Sequence, residues 1–205
     1  MSFGPDIEEL LDEIGIAYTV VRDSGNVTGE KLLYKSNQQV TKPFIREFFL
    51  EAIVAYNSVI VGGDIISFSD GRVFLVCNST PNMFENETVR KDAVLYKCNV
   101  SGELERYAGE GWGTDYRQSG SWQTVKSNVY AMMTEELFGN ILDERVPAGQ
   151  TLETAYFLYL PANSGIQSLD RYVPFSGEQP YKVKELDKYK FDGVWVANLE
   201  MDTRE

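Results

Sequence analysis

Between Pro5 and Ile14 the apolar residues Ile7, Leu10, Leu11 and Ile14 recur at i, i+3, i+4 and i+7, with Asp6, Glu8, Glu9, Asp12 and Glu13 among them. That spacing predicts a short amphipathic helix. Acids in its first turn suit the helix dipole, and Gly15 is placed to stop it. Beyond Gly15 the pattern reads as strand. Ile16–Val21 and Lys31–Tyr34 flank an Asp23-Ser24-Gly25-Asn26 turn, and Ile65–Phe68 and Val73–Cys77 flank Ser69-Asp70-Gly71, a hairpin signal. Ala93–Cys98, Ala155–Leu160 and Val194–Leu199 are further strands, with β character also around Val183 and Phe191. Two segments fit either period. Phe44–Tyr56 is read as strand because Phe48, Leu50, Ala52, Val54 and Tyr56 alternate; Val129–Phe138 stays open between helix and strand. The fold class expected is mainly β, built of barrel or sandwich units with a short N-terminal helix.

The two halves echo one another. Asp64, Phe68-Ser69, Phe74-x-Val76, Phe84 and the strand at Ala93 are matched by Asp170, Phe175-Ser176, Tyr181-x-Val183, Phe191 and the strand at Val194. Each set follows an alternating strand, Phe49–Tyr56 or Ala155–Leu160. The match reads as an internal duplication; the alternative is coincidence among aromatic-rich hairpins. Between the halves the composition shifts. Gly109, Gly111, Gly113 and Gly120 alternate with Trp112, Tyr116 and Trp122, and aliphatic residues nearly vanish, which predicts a long loop or arm. The expected organisation is therefore 1–106, helix plus first β unit; 107–149, the Gly/aromatic arm and a connecting segment; and 150–205, a second β unit packing with the first.

Charge narrows the function. The chain has 31 acidic and 19 basic residues, a net charge of −12. Such a surface repels phosphate, so dedicated nucleic-acid binding is not expected. A hydrophobic fraction of 43% is enough for a packed core. No apolar run reaches the roughly 20 residues of a membrane helix, and Met1–Asp6 does not begin a secretory signal, so synthesis in the cytoplasm is expected. With Cys77 and Cys98 as the only thiols and no histidine, no cofactor and no structural zinc site are expected; both cysteines read as buried and inert.

Catalytic signals are equally sparse. There is no G-x-S-x-G, no phosphate loop, no dinucleotide fingerprint and no imidazole to activate a serine. Paired carboxylates are the chemistry left open, through Glu103, Glu105, Glu110 and Asp115 near Trp112 and Trp122. No catalytic residue is assigned. The residues singled out are interface candidates: Ile7, Leu10 and Leu11 on the helix, and Trp112, Tyr116 and Trp122 on the arm.

Gly63-Asp64-Ile65-Ile66, Asp70-Gly71-Arg72-Val73-Phe74-Leu75-Val76, Asp170-Arg171-Tyr172, Pro180-Tyr181-Lys182-Val183 and the terminal Asp202-Thr203-Arg204 carry a resemblance. Together they resemble the small β-barrel neck proteins of tailed bacteriophages, of the head-closure, head–tail connector and tail-completion type. The likeness covers residues 45–100 and 150–204; the chain is longer than a single-barrel member, and the arm lies outside the pattern. The resemblance implies a non-enzymatic virion protein acting in a homo-oligomeric ring. Its partners would be other particle proteins, and genome DNA would pass through without being bound specifically. The alternative is a carbohydrate-binding β-module using Trp112 and Trp122.

Overall fold

The computed structural model describes residues 3–35, 48–109, 120–135, 156–175 and 178–204. The chain divides into two compact units, Met1–Cys98 with Tyr189–Val194, and Asn99–Lys188 with Trp195–Glu205.

The predicted helix is α1, Phe3–Ile14. Gly15 ends it by donating its N–H to the Leu11 carbonyl at 2.8 Å. A Cβ at Gly15 would lie 2.3 Å from that same oxygen, so glycine is required there. Leu11 is buried and Gly4 lies against the Tyr56 ring, which seats the helix on the first unit.

Six strands make the first barrel: β1 (Ile16–Val21), β2 (Val27–Tyr34), β3 (Phe49–Ala55), β4 (Ile65–Phe68), β5 (Val73–Phe84) and β6 (Glu87–Lys97). They run β1-β2-β3-β6-β5-β4, and β4 pairs back onto β1 to close the sheet. Alternation places Val20, Leu32, Ala52, Val54, Ile66, Phe74, Val76 and Leu95 in one buried cluster. The second barrel uses β7 (Val100–Gly109), β8 (Gly120–Thr134), β9 (Tyr156–Pro161), β10 (Arg171–Val173), β11 (Tyr181–Phe191) and β12 (Val194–Met201). Its order is β7-β8-β9-β12-β11-β10, again closed, now by β10 on β7. Strand for strand the two orders are the same, so the fold is a duplicated six-stranded barrel.

The duplication reaches individual residues. Ile66 faces Phe74 across β4–β5 as Tyr172 faces Tyr181 across β10–β11. Phe84 and Phe191 each end a strand before a two-residue turn, Glu85-Asn86 or Asp192-Gly193. Glu85 and Asn86 both take positive φ, as a tight hairpin turn demands. The core tyrosine changes strand between the two barrels. Tyr18 of β1 fills the first barrel, and the matching place on β7 is Gly102, whose Cβ would sit 2.8 Å from the Tyr172 ring. Tyr172 donates its hydroxyl to the Val129 carbonyl at 2.9 Å.

Several expectations are corrected. Residues 107–109 complete β7, and Gly120–Thr134 form β8, so the stretch read as an arm contributes a strand pair to the second barrel. Residues 110–119 of that arm lie outside the described residues. Val129–Thr134 resolve as strand, as do Phe49–Ala55. The unit boundary falls at Cys98/Asn99 rather than after residue 106. Phe175 does not take the place of Phe68: the second hairpin has one more residue after its aspartate, and Phe175 is exposed where Phe68 is buried.

Candidate functional site

The residue that opens each repeated block is a buried aspartate held by an arginine from the barrel's first strand region. In the first unit Arg22 donates from Nε to Asp64 Oδ1 at 2.7 Å, and from Nη2 to Asp64 Oδ2 and to the Val59 carbonyl. In the second, Arg106 donates to both Asp170 oxygens at 2.8 Å and to the Gly165 carbonyl at 2.9 Å. The backbone N–H of Val61 and of Gln167 each add a bond to the matching Oδ2. Hydrogen bonds to these carboxylates raise both guanidinium groups above their ordinary pKa. Each forked ion pair fixes the loop that enters β4 or β10, so its role is structural.

Among the described residues, the second barrel builds further on this clip. Asp202, just past β12, has a fully buried side chain. Arg171 Nε donates to its Oδ2 at 3.0 Å, and Arg204 donates from Nη2 to Oδ2 and from Nε to Oδ1, both at 2.8 Å. Burial pushes this carboxyl up, but bonds from the Arg204 side chain and backbone and from Arg171 outweigh it. The net effect holds Asp202 well below the usual carboxylate range. Arg171 also lies 3.8 Å from Glu105. Both guanidinium groups stand over the Trp122 ring, Arg171 at 3.8 Å and Arg204 at 4.8 Å from its centroid. Tyr107 meets the same ring edge-on at 5.4 Å. The outcome is an Asp–Arg–Trp cluster beside a cleft of about 580 Å³ lined by Arg106, Tyr107, Trp122, Leu169, Asp170 and Arg204, among others.

Chemically this cluster is a set of matched charges and cation–π contacts, with no nucleophile placed beside a base. Of the carboxylates considered for hydrolysis, Glu105 is engaged with Arg171, Glu103 lies exposed on β7, and Glu110 and Asp115 fall outside the described residues. Among the described residues no group of three His, Cys, Asp or Glu is placed to hold a metal ion. Cys77 and Cys98 are free thiols, pushed up to about 11 and about 12 chiefly by burial. No helix among the described residues is long and apolar enough to cross a membrane.

The first barrel holds a polar cluster with no signal in the sequence. Tyr18 donates to Glu30 Oε2 at 2.9 Å, and Ser58 Oγ donates to the same oxygen. Burial, helped by the neighbouring Glu30 charge, raises the Tyr18 hydroxyl far above its ordinary value. Lys91 donates to the Ser58 carbonyl rather than to its hydroxyl.

The interface candidates separate. Leu11 is 2% exposed and belongs to the seat of α1, Ile7 is half-buried, and Leu10 faces outward. Trp112 and Tyr116 lie outside the described residues. Trp122 is on β8, half-buried, with its Nε1 enclosed and without a hydrogen-bond partner among the described residues. Trp122→Ala is accordingly expected to lower the stability of the second unit by about 2–3 kcal/mol, through lost packing and lost cation–π contact, in a urea titration. A loss below about 0.5 kcal/mol would show that the ring is peripheral to the cluster.

In the sequence Arg171, Asp202 and Arg204 stand out only as parts of a signature; the acid–x–Arg spacing is the available signal, while their partner Trp122 reads as part of the arm. No family model matches the chain, and no curated protein or solved structure matches it either.

Proposed function

We propose that the chain is a non-enzymatic structural protein of a tailed-phage or prophage particle. In this reading it is made in the host cytoplasm and built into the neck or tail, where it works through protein contacts in a homo-oligomeric ring. The observation that carries the reading is the pair of closed six-stranded barrels of identical strand order within one strongly acidic chain. Small β-barrels are what the resemblance implied for each half. Closure pairs β4 with β1 and β10 with β7, which favours engaging neighbours through side-chain surfaces and connections. A net charge of −12 suits a wall past which duplex phosphates slide without sticking.

The carbohydrate alternative needs an open aromatic platform, and the Arg171 guanidinium lies over the Trp122 ring at 3.8 Å. That contact weighs toward assembly.

Negative-stain microscopy and native mass spectrometry of the full chain test the proposal: closed rings are expected, and a chain that stays monomeric at every concentration tried would sink it. Replacing residues 110–119 by a short Gly/Ser linker spares β7 and β8. The circular dichroism spectrum and melting temperature of that variant should match the parent while rings are lost. Undiminished rings would remove the arm from the interface.

A further inference from the structure

We propose that the outward stripe of α1, extended by the tip of the β5–β6 hairpin, docks a basic amphipathic helix contributed by another protein. The proposal rests on the assembly reading above and names the chemistry of one partner. Phe3, Leu10 and Ile14 lie at i, i+7 and i+11, within a narrow arc of the helix and about 16 Å from end to end. Phe3 meets Phe84 edge-on at 5.1 Å, which carries the apolar surface onto Phe84 and Met83 of the hairpin. All five side chains are between 44% and 58% exposed. A helix that buries Leu11 and Gly4 on one side thus keeps a second apolar stripe uncovered among the described residues.

Charge decides the occupant. The α1 sequence contains Asp6, Glu8, Glu9, Asp12 and Glu13 and no basic residue. Glu8 accepts a bond from Asn57 and Asp12 pairs with Lys31, while Asp6, Glu9 and Glu13 have no partner among the described residues. These three flank the exposed stripe. Glu9 and Glu13 stand at i, i+4, where like charges repel, and Glu13 also sits in the last turn, where the helix dipole disfavours an anion. Lys or Arg side chains laid along this flank relieve both penalties while their helix covers Phe3, Leu10 and Ile14.

The test uses the full chain and two synthetic amphipathic peptides of about 18 residues (the length is of the order needed for a marginal helix), one of Leu and Lys, the other with Glu for every Lys. Fluorescence anisotropy should show the Leu/Lys peptide binding at least tenfold more tightly than its twin. Leu10→Ser with Ile14→Ser should weaken it at least tenfold with an unchanged circular dichroism spectrum; Glu9→Lys with Glu13→Lys should do the same. Glu185→Lys, exposed on β11, is the control and should leave binding unaltered. Equal loss from the control would mean general attraction to an acidic protein and overturn the proposal. So would a stripe that binds neither peptide while Leu10→Ser with Ile14→Ser dissolves a self-associated form, since the occupant would then be a second copy. Rings without peptide binding overturn this proposal alone; peptide binding without rings overturns the assembly reading alone.

Discussion

Asp202→Asn is expected to cost about 3–5 kcal/mol of stability at pH 7, the loss typical of removing one partner from a buried ion pair. The Asp202 side chain is fully enclosed, and both its oxygens accept from Arg171 or Arg204. An amide of the same shape keeps one acceptor and turns an NH₂ toward guanidinium donors, so charge and complementarity are lost together. Tryptophan fluorescence reports the change, because Trp122 and Trp195 belong to the second unit. The shared Trp122 contacts should loosen with it, so the melting midpoint of this unit should fall by more than about 10 °C. A variant within about 1 kcal/mol of the parent would mean that the two arginines are held by Trp122, Glu105 and solvent without need of the carboxylate.

The same residue carries a pH signature of known sign. Its folded pKa lies below its unfolded one, so its contribution is complete above the unfolded carboxylate range and disappears as pH falls. The gap between parent and Asp202→Asn should therefore be full at pH 7 and shrink from about pH 5 downward. A gap that widened in acid would reverse the assignment.

Legibility followed burial. The strands β3, β4 and the first half of β5 are readable because Ala52, Val54, Ile66, Phe74 and Val76 face a core, which imposes period two on their neighbours. The outer half of β5, from Asn78 to Phe84, and the first half of β8, from Gly120 to Asn128, are mostly exposed on both faces. Backbone ladders to β6 and to β7 run along them, and a ladder leaves no hydropathy pattern. That is why an aromatic, glycine-rich strand passes for an arm. The site is hidden for another reason. Asp64 and Asp170 stand out as paired landmarks, yet their arginines lie 42 and 64 residues away, and Arg171 is 31 from Asp202. Charge partners at such separations are set by strand order, and strand order is defined only once the barrels close.

Gly63→Ala should be the more damaging change for the first unit, with a cost above about 3 kcal/mol. Gly63 adopts φ +87°, which costs an L-residue about 1–2 kcal/mol. Space is the larger difficulty, since a Cβ there would lie 2.1 Å from the Gly193 carbonyl oxygen. Gly193, itself at φ +74°, is equally confined: its Cβ would meet the Gly62 carbonyl oxygen at 2.0 Å. Two backbones therefore touch without side chains between them, and the tip Tyr189–Val194 must move if either gains one. The duplication supplies the control. Leu169 holds the matching place in the second barrel, donating to the Val183 carbonyl as Gly63 donates to that of Val76. It keeps φ +73° as a leucine and is 60% exposed. Leu169→Ala should thus change stability by no more than about 0.5 kcal/mol. Hydrogen exchange at the Asp64 and Val76 amides, both bonded in this turn, separates the outcomes. Protection should collapse there in Gly63→Ala and persist in Leu169→Ala; protection retained in both would show that the hairpin tip yields freely, and that steric closeness at Gly63 does not hold it.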